Sequence, residues 1–362
     1  MTTKASTLKK LYVGCPNLGD KRVFLGWVDK IWKSKRLTND GPVVQEFEKQ
    51  VQQFLGVKHA IAICNATTGL QILANAVFGT YSRVYVPSFT FAATVYALDW
   101  AGFVPDFVDV ELDTHNIIPI VQTSKHPIVA THLWGRPCRI DVLQNNVTPL
   151  IFDAAHAFGC SYNNGVKIGN FGHGEVFSFH ATKFINSFEG GMITTNNDET
   201  AEKCKLLRNF GFEGYDNSTV VGINGKMSEV HAAMGLCSLD QFDRFVECNH
   251  NNYHEYIDKL FDLGGLRIVR QYSSNTPNYQ YVVLEVSRNR DKIINALWAE
   301  GIYARRYFYP GVHRMAHYKD MNISLPNTEA LAEKVLVLPS GVSTTSKDIT
   351  KICKIIRKEI DS

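Results

Sequence analysis

Apolar positions along the first 200 residues alternate between two rhythms. Short apolar runs at Ala60–Cys64, Val84–Val86, Phe107–Val110, Ile128–His132, Pro149–Asp153, Glu175–Phe179 and Met192–Thr195 read as strands. Between them lie segments with helical spacing. Thr67–Phe78 places Leu70, Leu73, Ala74 and Val77 on one face, and Thr90–Ala101 reads as a second helix. Such alternation predicts an α/β architecture: a large, mostly parallel sheet covered by helices on both faces. Met227–Phe245 reads as one long helix with Met227, Val230, Met234 and Cys237 on a stripe. Beyond it the rhythm changes. Gln280–Val286, a helix over Asp291–Glu300, and Ile302–Tyr309 form a smaller α+β unit. The expected division is a large unit over residues 1–245, including the N-terminal segment, and a small one over 246–362. The pattern does not give the topology of the first 40 residues.

Composition narrows the class. The 362 residues are 45% hydrophobic and 20% charged, which fits a globular chain and excludes a disordered or collagen-like one. The 38 basic and 35 acidic residues leave a net charge of +3, too little for a nucleic-acid partner. The eight cysteines are scattered with no C-x-x-C pair, and no H-E-x-x-H occurs, so no metal site is expected. No run approaches a membrane span. Met1–Lys10 is polar and basic with no apolar stretch behind it, which predicts a cytoplasmic protein without a secretory leader.

In open parallel sheets, ligands sit beyond the carboxyl ends of the strands. The residues just past each predicted strand are therefore informative. After Cys64 comes Asn65-Ala66-Thr67-Thr68-Gly69, which suits either a helix cap or a phosphate at a helix N-terminus. After Val86, Phe91 could stack on a flat ring or belong to the core. Asp153 ends an apolar strand and needs a partner, such as a cationic ring nitrogen or a helix cap. His156 lies three residues on. Lys183 comes after Ser178-Phe179-His180-Ala181-Thr182 among small and apolar residues; such surroundings lower an amine pKa and make it nucleophilic, although a single lysine is by default a solvated surface residue. A phosphate cradle, an aromatic, a carboxylate and a lysine at one sheet edge match the needs of pyridoxal phosphate.

The chain resembles the pyridoxal phosphate-dependent sugar aminotransferases of the DegT–DnrJ–StrS group, which have the aspartate aminotransferase fold (fold type I). The similarity covers nearly the whole chain. Its most specific stretches are Asp153-Ala154-Ala155-His156-Ala157-Phe158-Gly159 and Ser178-Phe179-His180-Ala181-Thr182-Lys183. The resemblance implies that Lys183 bonds the cofactor aldehyde and then carries protons, and that Asp153 pairs with the pyridinium nitrogen. It implies that Phe91 stacks on the ring, that Ala66, Thr67 and Ser178 hold the phosphate, and that His156 stands near the 3-hydroxyl. Asn224 would reach the cofactor phosphate of a neighbouring subunit, in a homodimer that shares its site across the interface. Gly225-Lys226 departs from the Tyr-Arg common in the family.

The implied reaction moves an amino group from L-glutamate to a nucleotide-linked sugar, with the cofactor cycling through pyridoxamine phosphate. The favoured acceptor is dTDP-4-keto-6-deoxy-D-glucose, giving dTDP-4-amino-4,6-dideoxy-D-glucose (viosamine type). A GDP- or UDP-linked 4-keto sugar, or a 3-keto sugar, is the alternative. Arg305, Arg306, Tyr309 and His313 are candidates for sugar or diphosphate contact, or else lie on the surface of the small unit. Two rivals exist. A sugar dehydratase of this group has histidine in place of Lys183, and a regulatory protein would bind the cofactor without catalysis.

Overall fold

The computed structural model describes residues 9–119, 125–145, 147–271 and 276–360. Seven strands form the main sheet: β1 (His59–Ile63), β2 (Arg83–Pro87), β3 (Val104–Val108), β4 (Ile128–Thr131), β5 (Leu150–Asp153), β6 (Gly174–Ser178) and β7 (Gly191–Thr195). Their order is β1-β7-β6-β5-β4-β2-β3. Only β7 runs against its neighbours, so the carboxyl ends of the other six open at one edge.

Strand residues point alternately to opposite faces, and both faces are apolar here. Ala60, Ala62, Ala130, Phe152 and Phe177 join one core, which also holds Phe47 and Val51 of the helix Pro42–Leu55. Ile61, Ile63, Val129, Ile151 and Val176 join the other, with Leu70 and Leu73 of the helix Ala66–Phe78. That helix lies flush on the sheet because Gly69 has no side chain. A Cβ there would sit 2.1 Å from Ile63 Cδ1.

The expected long helix over Met227–Phe245 is two helices, Glu229–Leu239 and Phe242–Leu260, meeting at Asp240–Gln241. Gln241 leaves the helical region in that bend, at φ −101°, ψ 13°. The second helix joins two cores: Phe245 packs under the main sheet, while Tyr253, Tyr256 and Leu260 pack with a small antiparallel sheet. That sheet comprises β8 (Leu266–Ile268), β9 (Val282–Val286) and β10 (Val335–Leu338), in this order. Ile302–Tyr309 is mostly loop, with strand only at Ile302–Tyr303, which pairs with Leu11–Tyr12.

No helix among the described residues is long and apolar enough to cross a membrane. None of the eight cysteines is in a disulfide.

Candidate active site

A cavity of about 390 Å³ opens at the carboxyl edge of the main sheet. Lining it are Ala66, Thr67, Phe91, Asp153, His156, Ser178, Lys183 and Arg305. The fold thus brings residues from the ends of β1, β2, β5 and β6 to a single cavity.

The helix Ala66–Phe78 aims its N-terminus at this cavity. Asn65 caps it, its Oδ1 accepting the Thr68 N–H at 2.8 Å. Cap and anion site are compatible. The cap satisfies Thr68, and no acceptor within the helix exists for the first two N–H groups, those of Ala66 and Thr67. These donors, the helix dipole and the Ser178 hydroxyl suit a phosphate.

Asp153 ends β5. Its Oδ2 accepts the Thr94 hydroxyl at 2.7 Å, and its Oδ1 accepts the Ala155 N–H at 3.0 Å. Thr94 is fully buried and itself bonded to Thr90 at 2.9 Å. The carboxylate is therefore aimed by a hydroxyl that strand rhythm could not reveal.

Lys183 sits in the loop after β6. Its Nζ donates to Tyr281 Oη at 3.4 Å. Burial lowers its amine to about 8, against the opposing pull of Asp153. The N-terminal segment clamps this loop: Asn17 Nδ2 donates to Phe184 O at 3.2 Å, and Asn186 Nδ2 donates to Asn17 O at 2.8 Å. Gly14 lies so close to Thr182 that a Cβ would come within 2.7 Å of it.

His156 accepts the Trp134 backbone N–H on Nδ1 at 3.3 Å, which leaves its proton on Nε2. Burial, with Lys183 nearby, holds its pKa well below the usual histidine range, so the ring is neutral. Phe91 is 56% exposed at the cavity wall. Arg305 lines the cavity with its guanidinium over the Tyr307 ring at 5.1 Å.

Four expected residues lie outside the cavity lining. His313 is buried between Ser88 Oγ (2.6 Å) and Glu329 (3.2 Å), so both ring nitrogens are engaged within the protein. Tyr309 and Arg306 pair with each other: the Tyr309 ring lies beneath Arg290 and Arg306, at 5.2 and 4.9 Å. Asn224 is exposed and bridges to Asn209 through its backbone. Among the described residues, no cluster of side chains suits a metal ion.

Residues 20–357 match the DegT/DnrJ/EryC1/StrS aminotransferase family. The chain belongs to this family. It is 35% identical to the dTDP-4-amino-4,6-dideoxy-D-glucose transaminase of Shigella dysenteriae, covering 97% of this chain and 99% of the relative. It is 32% identical to the GDP-perosamine synthase of Caulobacter vibrioides, over 96% of this chain and 97% of that protein. The crystal structure of DesI in the presence of its TDP-sugar product superposes with a TM-score of 0.91 at 41% identity, covering 96% of this chain and 92% of that one. The chain is accordingly a pyridoxal phosphate-dependent aminotransferase of fold type I. The donors described above fit that cofactor: free helix N–H groups for the phosphate, an aimed carboxylate for the ring nitrogen and a buried amine for the aldehyde.

Proposed function

We propose that this aminotransferase moves the amino group of L-glutamate to dTDP-4-keto-6-deoxy-D-glucose, giving dTDP-4-amino-4,6-dideoxy-D-glucose. The observation that carries this reading is the near full-length similarity to the Shigella transaminase, together with the complete donor set around Lys183. When bound, pyridoxal phosphate supplies an aldehyde that bonds amines and a ring that withdraws electrons from the neighbouring carbon.

The chain's own groups do the rest. Lys183 Nζ, partly neutral near pH 7 because its pKa is about 8, would take the proton from the donor's α-carbon and deliver it to the former aldehyde carbon within the same half, and would carry a proton the opposite way in the second half. Asp153, aimed by Thr94, keeps the ring nitrogen protonated. Ala66, Thr67 and Ser178 hold the phosphate. His156 offers Nε2–H to the ring oxygen, and Phe91 covers the ring. Arg305 is the candidate for the anionic part of the substrate.

The homodimer belongs to the same proposal, and Asn224 would serve the neighbour's site. In its support, the stretch carrying Asn224 exposes Phe210, Phe212, Tyr215, Val221 and Ile223, an apolar surface of the kind that marks an interface. We place the division between the large and small units near residue 245, inside Phe242–Leu260, and the protein in the cytoplasm.

A GDP-linked 4-keto sugar is the second reading, supported by the similarity to GDP-perosamine synthase. The test is to incubate the loaded enzyme with L-glutamate and either sugar nucleotide, and to identify the product by mass and NMR. A 4-amino product from the dTDP sugar supports the first reading. Turnover of the GDP sugar alone replaces it with the second.

A further inference from the structure

A buried hydrogen-bond chain runs from the small sheet to the cavity. Glu285 of β9 accepts from His115 Nε2 at 2.8 Å. His115 Nδ1 accepts the indole N–H of Trp134 at 3.1 Å. The backbone N–H of Trp134 then reaches His156 Nδ1 at 3.3 Å. Arg267 also binds Glu285 and holds the outer end.

Every link has a fixed direction. An ionised carboxylate only accepts, and indole and backbone N–H groups only donate. Glu285 therefore keeps the His115 proton on Nε2, which leaves Nδ1 bare for the indole. Both His115 and Trp134 have φ +61°, a region that residues with side chains seldom adopt and that their surroundings must enforce. The indole also stacks on Phe308, with ring centres 5.3 Å apart and planes at 10°, and on His156 at 5.7 Å and 21°. Gln271 adds a hold on the Trp134 peptide by donating to its carbonyl at 3.1 Å.

We propose that Glu285, His115 and Trp134 are positioning residues for His156, fixing its ring with Nε2–H toward the cavity. This rests on the reading of His156 as a donor to the cofactor ring. The small unit thereby acts on the reaction through two residues of one segment: Tyr281, which meets Lys183, and Glu285, which sets His156 through the chain.

The test compares His115→Gln with His115→Leu. Glutamine can both donate to Glu285 and accept from the indole, whereas leucine keeps bulk and does neither. In apo-protein with 15N-labelled histidine, the His156 signals, assigned by their loss in His156→Asn, should show one Nε2–H tautomer in the wild type and in His115→Gln. His115→Leu should show a mixture. In the loaded enzyme, His115→Leu should lower kcat roughly tenfold, the size of one lost hydrogen bond, with the KM for the sugar unchanged and the pH midpoint of the cofactor band shifted. His115→Gln should stay near wild type. If His115→Leu does not fold, Glu285→Met carries the same comparison from the outer end. A single tautomer in His115→Leu, or equal losses in the leucine and glutamine variants, overturns the proposal. Because the tautomer is read without cofactor or substrate, it stands apart from any failure to turn over the chosen sugar.

Discussion

Lys183 owes its reactivity to its surroundings, because burial at the cavity wall disfavours the charged amine. Its pKa is lowered to about 8, so the neutral form grows as pH rises through that value. Competitive acetylation of the apo-protein should give an inflection near pH 8 for Lys183. Asp153→Asn should move it lower, since the carboxylate is what favours the charged amine. An unchanged inflection would separate the two groups. Thr94→Val keeps the shape and removes the hydroxyl from Asp153; it should reduce kcat about tenfold, the size of one hydrogen bond to a charged group, and lower the thermal midpoint, because the buried Thr90 hydroxyl loses its partner too. Six residues picked out by their place at or after a strand end, Ala66, Thr67, Phe91, Asp153, His156 and Lys183, do line the cavity, as does Ser178, which only the family resemblance singled out. Arg306, Tyr309 and His313 do not. Arg306 and Tyr309 come from a loop and His313 from the short 3-10 turn Val312–Arg314, where no period fixes direction, and internal partners claim them. Thr94 and Tyr281 were unreadable for a related reason: a hydroxyl gains its role from a partner that only the tertiary fold supplies.

At the scale of elements, Glu229 shows how a site is braced from a distance. It is fully buried, and its carboxylate accepts the Val43 and Val44 N–H groups at 2.9 and 3.0 Å. It thereby caps Pro42–Leu55, whose own N-cap is Gly41 and offers no side chain. Glu229→Ala should lose about 1–3 kcal/mol of stability, the cost of leaving buried donors unpaired, measured as a lower denaturant midpoint. Element existence was legible because the strand runs and helical stripes are long. Two boundaries were not. The break at Asp240–Gln241 has no Pro or Gly signal, and the apolar stripe continues through it because both helices bury that face. β3 begins at Val104, before Pro105, a residue that argues against a central strand but is tolerated at the sheet edge, where β3 lies.

At the scale of the whole molecule, the N-terminal segment, whose place no pattern revealed, joins the parts. Leu11 enters the core of the small sheet, and Asn17 holds the Lys183 loop. If Asn224 serves a neighbour's site, sedimentation should give twice the chain mass. Mixing inactive Lys183→Ala with a weakened Asn224→Ala should then regain activity, because one site of the mixed dimer is intact. No gain on mixing would confine each site to its own chain. In the proposed reaction, Lys183 runs two linked half-reactions on a nucleotide-linked keto sugar. The most direct measurement tracks the absorption band of the loaded enzyme, first with L-glutamate and then with dTDP-4-keto-6-deoxy-D-glucose. The band should be lost to glutamate and restored by the sugar, with neither change in Lys183→Ala. A band that glutamate leaves untouched, or that the sugar cannot restore, would contradict that reaction.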